Sequence, residues 1–268
     1  MAHILLPTDL SEHALNACAY ALDAFGSKEH RYTLVHAYMD PVPGYVEMVD
    51  MTNTAYAASV EGLAAFAARF RLLPGAKEAP VDTRVVYGSV ASGLTHMTEE
   101  VDADLIVMGT RGAGATPLFG TNAGAVAKAS RIPVLIVPSG ASVARIERIL
   151  FADDHVRVEP LAMATLVELA TKHAAEVLVA HVLRRNDEEP DPHVIADYER
   201  TLKDVRYRFL DIPGSDISEA LSELAERERV QLVAVLHRHV GILESLFHGS
   251  VAKRLAMHSR VPLLVLEH

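Results

Sequence analysis

The chain is short of most features that assign a protein at sight. Of its 268 residues one is cysteine, Cys18, so there is no internal disulfide framework and a reducing, cytoplasmic setting is expected. No apolar run approaches the roughly 20 residues of a membrane-spanning helix, which leaves no membrane partner to expect. The opening MAHILLPTDL lacks a basic stretch followed by a long apolar one, so no signal peptide is expected. Basic residues do not gather either: 25 Lys and Arg face 35 Asp and Glu, for a formal charge of −10. Nucleic acid is therefore not an expected partner, because neutralisation of phosphates dominates such binding. An anionic ligand would need a local positive site made of backbone amides or a few arginines. HExxH, CxxC and GxSxG are all missing, and with them the metalloprotease, redox-pair and hydrolase readings.

What is present is a repeat. SRIPVLIVP (130–138) returns as SRVPLLVLE (259–267), and FGTNAGAVAKAS (119–130) as HGSVAKRLAMHS (248–259). DLIVMG (104–109) corresponds to QLVAVL (231–236), and TLVHA (33–37) to VLVAHV (177–182), with His36 matching His181. HILLPTDLSEHA (3–14) has a fainter echo in RILFADDHVRVE (148–159). The offset is 145 residues for the early pairs and 129 for the closing ones, so the first copy carries about 16 extra residues, assigned to 39–56. Two homologous domains follow, 1–140 and 141–268.

Within each copy apolar runs alternate with helical patterns. In the first, strands are expected at Ile4–Leu6, Tyr32–Ala37, Thr83–Val86, Asp104–Met108 and Pro133–Val137. A helix capped by Ser11 and closed by Gly26 carries Ala14, Cys18, Ala21, Leu22 and Phe25 at helical spacing. Further helices are expected at Ser59–Leu73, around Leu94–Val101 and from Thr121. In the second copy strands are expected near 148–152, 177–182, 206–211, 231–236 and 261–266. Apolar runs without polar alternation suit a parallel sheet buried on both faces, and the β–α alternation favours a doubly wound, Rossmann-like α/β fold.

In such a sheet ligands sit beyond the carboxyl ends of strands, where strand order reverses. The first strand ends at Pro7-Thr8-Asp9 and the fourth at Met108-Gly109, so these loops share a crevice if the strands are neighbours. Gly109 and Gly112 allow positive φ and close backbone approach. Gly120-Thr121 opens the last helix, where free amides favour an anion. Arg111 is suited to phosphate, and Asp9 to a base or ribose. The same glycines also serve as plain turn residues, and composition alone leaves both readings open. Gly109 to Thr116 is not a Walker loop, since Ala115 stands where its lysine belongs. It is not a dinucleotide fingerprint either, since the glycines follow the fourth strand and Pro117 fills the third glycine slot.

ILLPTDLSEHA, DADLIVMGTRG, the Gly120-Thr121 pair and SRIPVLIVP, in this order, resemble the universal stress protein family. The whole chain resembles its tandem members. The resemblance implies two five-stranded, mainly parallel sheets of order 3-2-1-4-5, joined as an intramolecular pseudo-dimer along the apolar fifth strands, with further dimerisation of the tandem chain. It also implies an adenine-nucleotide site. Asp9 would contact the adenosine, beside Pro7 and Thr8, and Ala37 would line the base pocket. Met108, Gly109, Arg111 and Gly112 would lie over ribose and phosphates, and Gly120, Thr121 and Asn122 would hold the phosphates. Nucleotide-binding members share a loop G-x-x-G, nine residues, then G-Ser/Thr; here seven residues, Ala113 to Phe119, separate Gly112 from Gly120. In the second copy Asp154, Gly249 and Ser250 keep their places, but Leu236 and His239 replace the two loop glycines. That copy is expected to be the degenerate one.

The resulting expectation is a cytoplasmic stress-response protein that binds ATP or AMP, with or without magnesium, in its first domain. It would act as a regulator or adaptor toward an unidentified protein partner. The alternative is a nucleotide-independent scaffold acting through protein–protein contacts. No catalytic residues are assigned, and turnover would not exceed slow hydrolysis. Among 14 histidines, His237-x-His239 with His248 has the makings of a zinc site, but these are read as loop histidines and no metal is assigned. Asp153-Asp154 is read as an acidic strand end. The Pro-, Met- and Tyr-rich segment 39–58 is a candidate lid or partner surface. Leu266-Glu267-His268 resembles the start of a vector-encoded histidine tag, so His268 is given no role.

Overall fold

A computed structural model describes residues 1–39, 49–110, 121–142, 145–183, 191–214, 216–237 and 261–267. They fall into two compact units, one within Met1–Ser142 and the other within Val143–His268.

The first unit begins with β1 (His3–Pro7), buried along its whole length, as an apolar central strand must be. Helix α1 (Glu12–Phe25) follows. The Ser11 hydroxyl accepts the Ala14 amide at its start, and Gly26, at φ 93°, ends it. The Tyr32 hydroxyl donates to the Gly26 carbonyl and so ties the helix end to β2 (Arg31–Tyr38). After α2 (Val49–Phe70) come β3 (Val81–Tyr87), α3 (Val90–Glu100), β4 (Leu105–Gly109), α4 (Thr121–Ala129) and β5 (Val134–Val137). All strand pairs are parallel, and the order is β3-β2-β1-β4-β5.

The second unit repeats this plan with β6 (Arg148–Asp153), α5 (Ala164–His173), β7 (Glu176–Leu183), α6 (Pro192–Thr201), β8 (Arg206–Pro213), α7 (Ile217–Arg227), β9 (Leu232–His237) and β10 (Leu263–Glu267). Its order is β8-β7-β6-β9-β10. The register is conserved between the units. Ile4 pairs with Tyr32 and Leu105 in the first, and Ile149 with Val177 and Leu232 in the second. Each unit is thus a doubly wound α/β domain, and strand order reverses between β1 and β4 and between β6 and β9.

Two expectations change. The second helix starts at Val49 rather than Ser59, so residues 49–58 of the candidate lid or partner surface are helical, rich in alanine and free of glycine and proline. Residues 40–48 of that segment lie outside the described residues. Ser59, Leu63, Phe66 and Phe70 turn to the core at helical spacing, and Leu73-Pro74 keeps the helix from running on. The second change concerns β3 and β8, which are half exposed rather than buried on both faces, as the last strands at one end of their sheets.

Candidate functional site

Beyond β1 the chain turns sharply. The Thr8 amide donates to the Val35 carbonyl at 2.8 Å and closes the strand pair. The Thr8 hydroxyl oxygen then accepts the Leu10 amide at 2.9 Å, holding Leu10 at φ 68°, a conformation a leucine adopts only when its neighbours enforce it. Asp9 stands exposed at the tip. Its Oδ1 accepts the Ser11 amide at 3.2 Å and the Ser11 hydroxyl at 2.5 Å, so the N-cap serine fixes the carboxylate. From β2, His36 donates Nδ1–H to the Thr8 carbonyl at 2.8 Å. On the other side, the β1–β4 register, continued to the strand ends, sets Pro7 opposite Met108. Pro7, Thr8, Asp9, Ala37, Met108 and Gly109 therefore lie at the carboxyl ends of three adjacent strands. Met108 is buried, Ala37 and Gly109 half-buried.

Gly109 does not need the freedom expected of it. It ends β4 in extended backbone, pairs with Val137, and is absent from the positive-φ residues among those described. Asn122 sits exposed in the first turn of α4, which begins at Thr121. Arg111, Gly112 and Gly120 lie outside the described residues, as do Gly249, Ser250, His239 and His248 and the side chain of Thr121.

The second unit builds the same turn from different residues. Asp153 takes the place of Thr8, and its Oδ1 accepts the His155 amide at 3.0 Å as the threonine hydroxyl accepts that of Leu10. His155, at φ 57°, repeats the left-handed Leu10. Asp154 repeats Asp9, its Oδ1 accepting the Val156 amide at 3.3 Å. His181 repeats His36, with Nδ1 at 3.1 Å from the Asp153 carbonyl. Where the first unit has an uncharged hydroxyl, the second buries a carboxylate. Desolvation pushes the Asp153 carboxyl above the usual carboxylate range, opposed by the Tyr198 hydroxyl, which donates to Oδ1 at 2.7 Å, and by His155.

His36, His155, His181 and Tyr198 were not assigned to any site from the sequence. The pairing of His36 with His181 in the repeat was the available signal. Cys18 contributes no nucleophile: it lies buried in α1, and burial pushes its thiol up. Among the described residues no helix is long and apolar enough to cross a membrane.

Residues 1–138 match the model of the universal stress protein family. The "universal stress protein in QAH/OAS sulfhydrylase 3'region" of Thermus aquaticus is 35% identical over 136 residues, 50% of this chain and 96% of that protein. Universal stress protein G of Salmonella typhimurium is 41% identical over 58 residues, 21% of this chain, and this chain spans only 41% of that relative's length. Among solved structures, a universal stress protein from Archaeoglobus fulgidus superposes with a TM-score of 0.75 at 19% identity, covering 99% of this chain and 96% of that one. At that identity the match establishes a shared fold, over both halves.

Proposed function

The chain belongs to the universal stress protein family, and from that premise we propose that it is a stress-response protein whose first unit binds an adenine nucleotide, ATP or AMP. Occupancy of that unit biases its shape or its protein contacts, so the protein works as a regulator or adaptor rather than as an enzyme. The observation that carries this reading is the Asp9 carboxylate, held by Ser11 beside the point where strand order reverses. In this reading Asp9 takes hydrogen bonds from the adenosine, Ala37 lines the base pocket, and Gly109 lets the backbone lie close to the ribose. Thr121 and Asn122 open α4, where free amides and the helix dipole favour phosphate. Arg111, Gly112 and Gly120 supply the rest of the phosphate cradle.

Mass spectrometry of the denatured protein for released nucleotide is the first test. Calorimetry with ATP and AMP, with and without magnesium, is the second. Gly109→Val should lower affinity at least about tenfold, or 1.4 kcal/mol. Because Gly109 is extended, valine fits its backbone and removes space only. Asp154→Ala should leave affinity unchanged. The reverse pattern would move the site to the second unit. Absence of any nucleotide and any binding would establish the scaffold reading in its place, which the seven-residue spacing before Gly120 favours.

A further inference from the structure

The turn after β6 gathers Asp153, His155 and His181, whose ligand-capable atoms all lie within 4.8 Å of one another. We propose that these three residues form a binding site for one divalent cation of the zinc type, in the second unit, at the place where the first unit has Thr8, Leu10 and His36.

His181 and Asp153 are already held by hydrogen bonds as ligands are, while the His155 ring lies stacked on that of His181. A carbonyl oxygen only accepts, so the contact between His181 Nδ1 and the Asp153 carbonyl makes Nδ1 the protonated nitrogen and puts the lone pair on Nε2. Ligating histidines are held in this manner by a hydrogen bond from the other ring nitrogen. The Asp153 carboxylate is divided in its duties. Oδ1 accepts the Tyr198 hydroxyl and the His155 amide, while Oδ2 lies 3.3 Å from His155 Nε2. Bonds of about 2.0–2.1 Å in tetrahedral geometry place neighbouring ligand atoms about 3.3 Å apart. The His155 and His181 rings stack with centroids 3.5 Å apart and planes 9° from parallel. A cation entering between them would fan the rings apart until both lone pairs converge.

The electrostatics agree. The Asp153 side chain is 2% exposed and that of His155 15%, so the carboxylate is withdrawn from water while a path to solvent remains at the imidazole. Asp154 adds a neighbouring negative charge. Two nitrogens and one oxygen leave coordination positions to water or a small ligand and match the donor set of borderline metals. The first unit keeps the oriented His36 but has an uncharged hydroxyl and an alkyl chain at the other two positions, and cannot hold the ion.

The experiment uses the full chain with no added histidines, stripped with chelator and titrated with zinc chloride by calorimetry and with cobalt chloride by visible absorption. One equivalent of either ion should bind, with the ligand-field bands of tetrahedral cobalt. His155→Leu places the first unit's residue on the same left-handed backbone and should lower affinity more than about 100-fold, since even outer-layer partners are worth about 10–100-fold. Tyr198→Phe should lower it about tenfold and leave the stoichiometry at one. If His155→Leu fails to fold, Asp153→Asn decides, because it keeps the shape and removes the ligand charge. The absence of both heat and cobalt bands up to about 1 mM ion would overturn the proposal. So would binding that survives both His155→Leu and Asp153→Asn, or that disappears only when His237, His239 or His248 is replaced.

Discussion

Two crevices on one backbone plan have been given different chemistry. In the first unit the turn beyond the opening strand reads Pro7-Thr8-Asp9-Leu10, in the second Ala152-Asp153-Asp154-His155. The turn is built the same way in both: the side chain of the second residue accepts the amide two positions on, the fourth residue is left-handed, and a histidine from the next strand contacts the carbonyl of the second. What differs is charge and burial. Threonine satisfies the turn with a neutral oxygen, whereas Asp153 does so with a carboxylate that needs Tyr198 and His155 around it. In the proposed functions the first crevice takes an anionic nucleotide and the second a cation.

The largest effect should come from the core beneath the turns. Leu6 and Phe151 occupy equivalent central-strand positions and are both fully buried. Phe151→Ala should cost about 3–5 kcal/mol by urea denaturation, and Leu6→Ala about 2–5 kcal/mol. Only the former should weaken cobalt binding, because the Phe151 ring packs on Tyr198 with centroids 5.9 Å apart. Equal loss of cobalt binding in both variants would show that the comparison does not localise the site.

An intermediate effect is expected from rebuilding one turn as the other. Thr8→Asp with Leu10→His gives the first unit all three of the second unit's groups, since His36 is already braced. Stability should fall by about 1–3 kcal/mol: aspartate accepts the residue-10 amide as threonine does and histidine tolerates positive φ better than leucine, but the change buries a carboxylate at the Thr8 position without introducing a counterpart of Tyr198. Cobalt stoichiometry should rise from one to two, the new site being the weaker. A stoichiometry that stays at one would show that the three groups alone do not suffice for the site.

The smallest effect concerns an ion pair of the second unit only. The hydrogen bond from Arg208, at 2.5 Å, holds the Glu228 carboxyl below its usual range. A depressed carboxyl stabilises the fold above its unfolded pKa, about 4.3, and loses that contribution as pH falls through the lower folded value. Arg208→Gln should therefore cost about 1 kcal/mol or less at pH 7, the arginine being partly exposed. The difference from wild type should narrow below about pH 4. Thermal melts at pH 7 and pH 3 check both the size and the sign.

Much of the fold was legible in the residues. Ser11 and Gly26 mark the ends of α1, and the uninterrupted apolar runs mark central strands, because capping and burial act on neighbours in the chain. The start of α2 was not legible, since Met, Tyr and Pro in 39–58 suggested a lid or partner surface while the alanines within it sustain a helix. The adjacency of the first and fourth strands, on which a shared crevice for Asp9 and Gly109 was conditional, is what the β1–β4 pairing brings about. The backbone of Gly109 was not foreseen, because a glycine after a strand is equally compatible with a turn and with one more extended residue.

By itself, then, the sequence determined the repeat and the β–α order. Each follows from local periodicity and from the register that a repeated pattern imposes. The meeting of Asp153, His155, His181 and Tyr198 was decided by tertiary structure alone. A left-handed residue turns His155 back onto the strand end, β7 lies beside β6, and Tyr198 reaches Asp153 from α6 across 45 positions of chain. Read along the chain, Asp153-Asp154 is an acidic strand end. Folded, one of the two is a buried carboxylate held by a tyrosine and facing a histidine, because burial and orientation are properties of the packed unit and not of the residue.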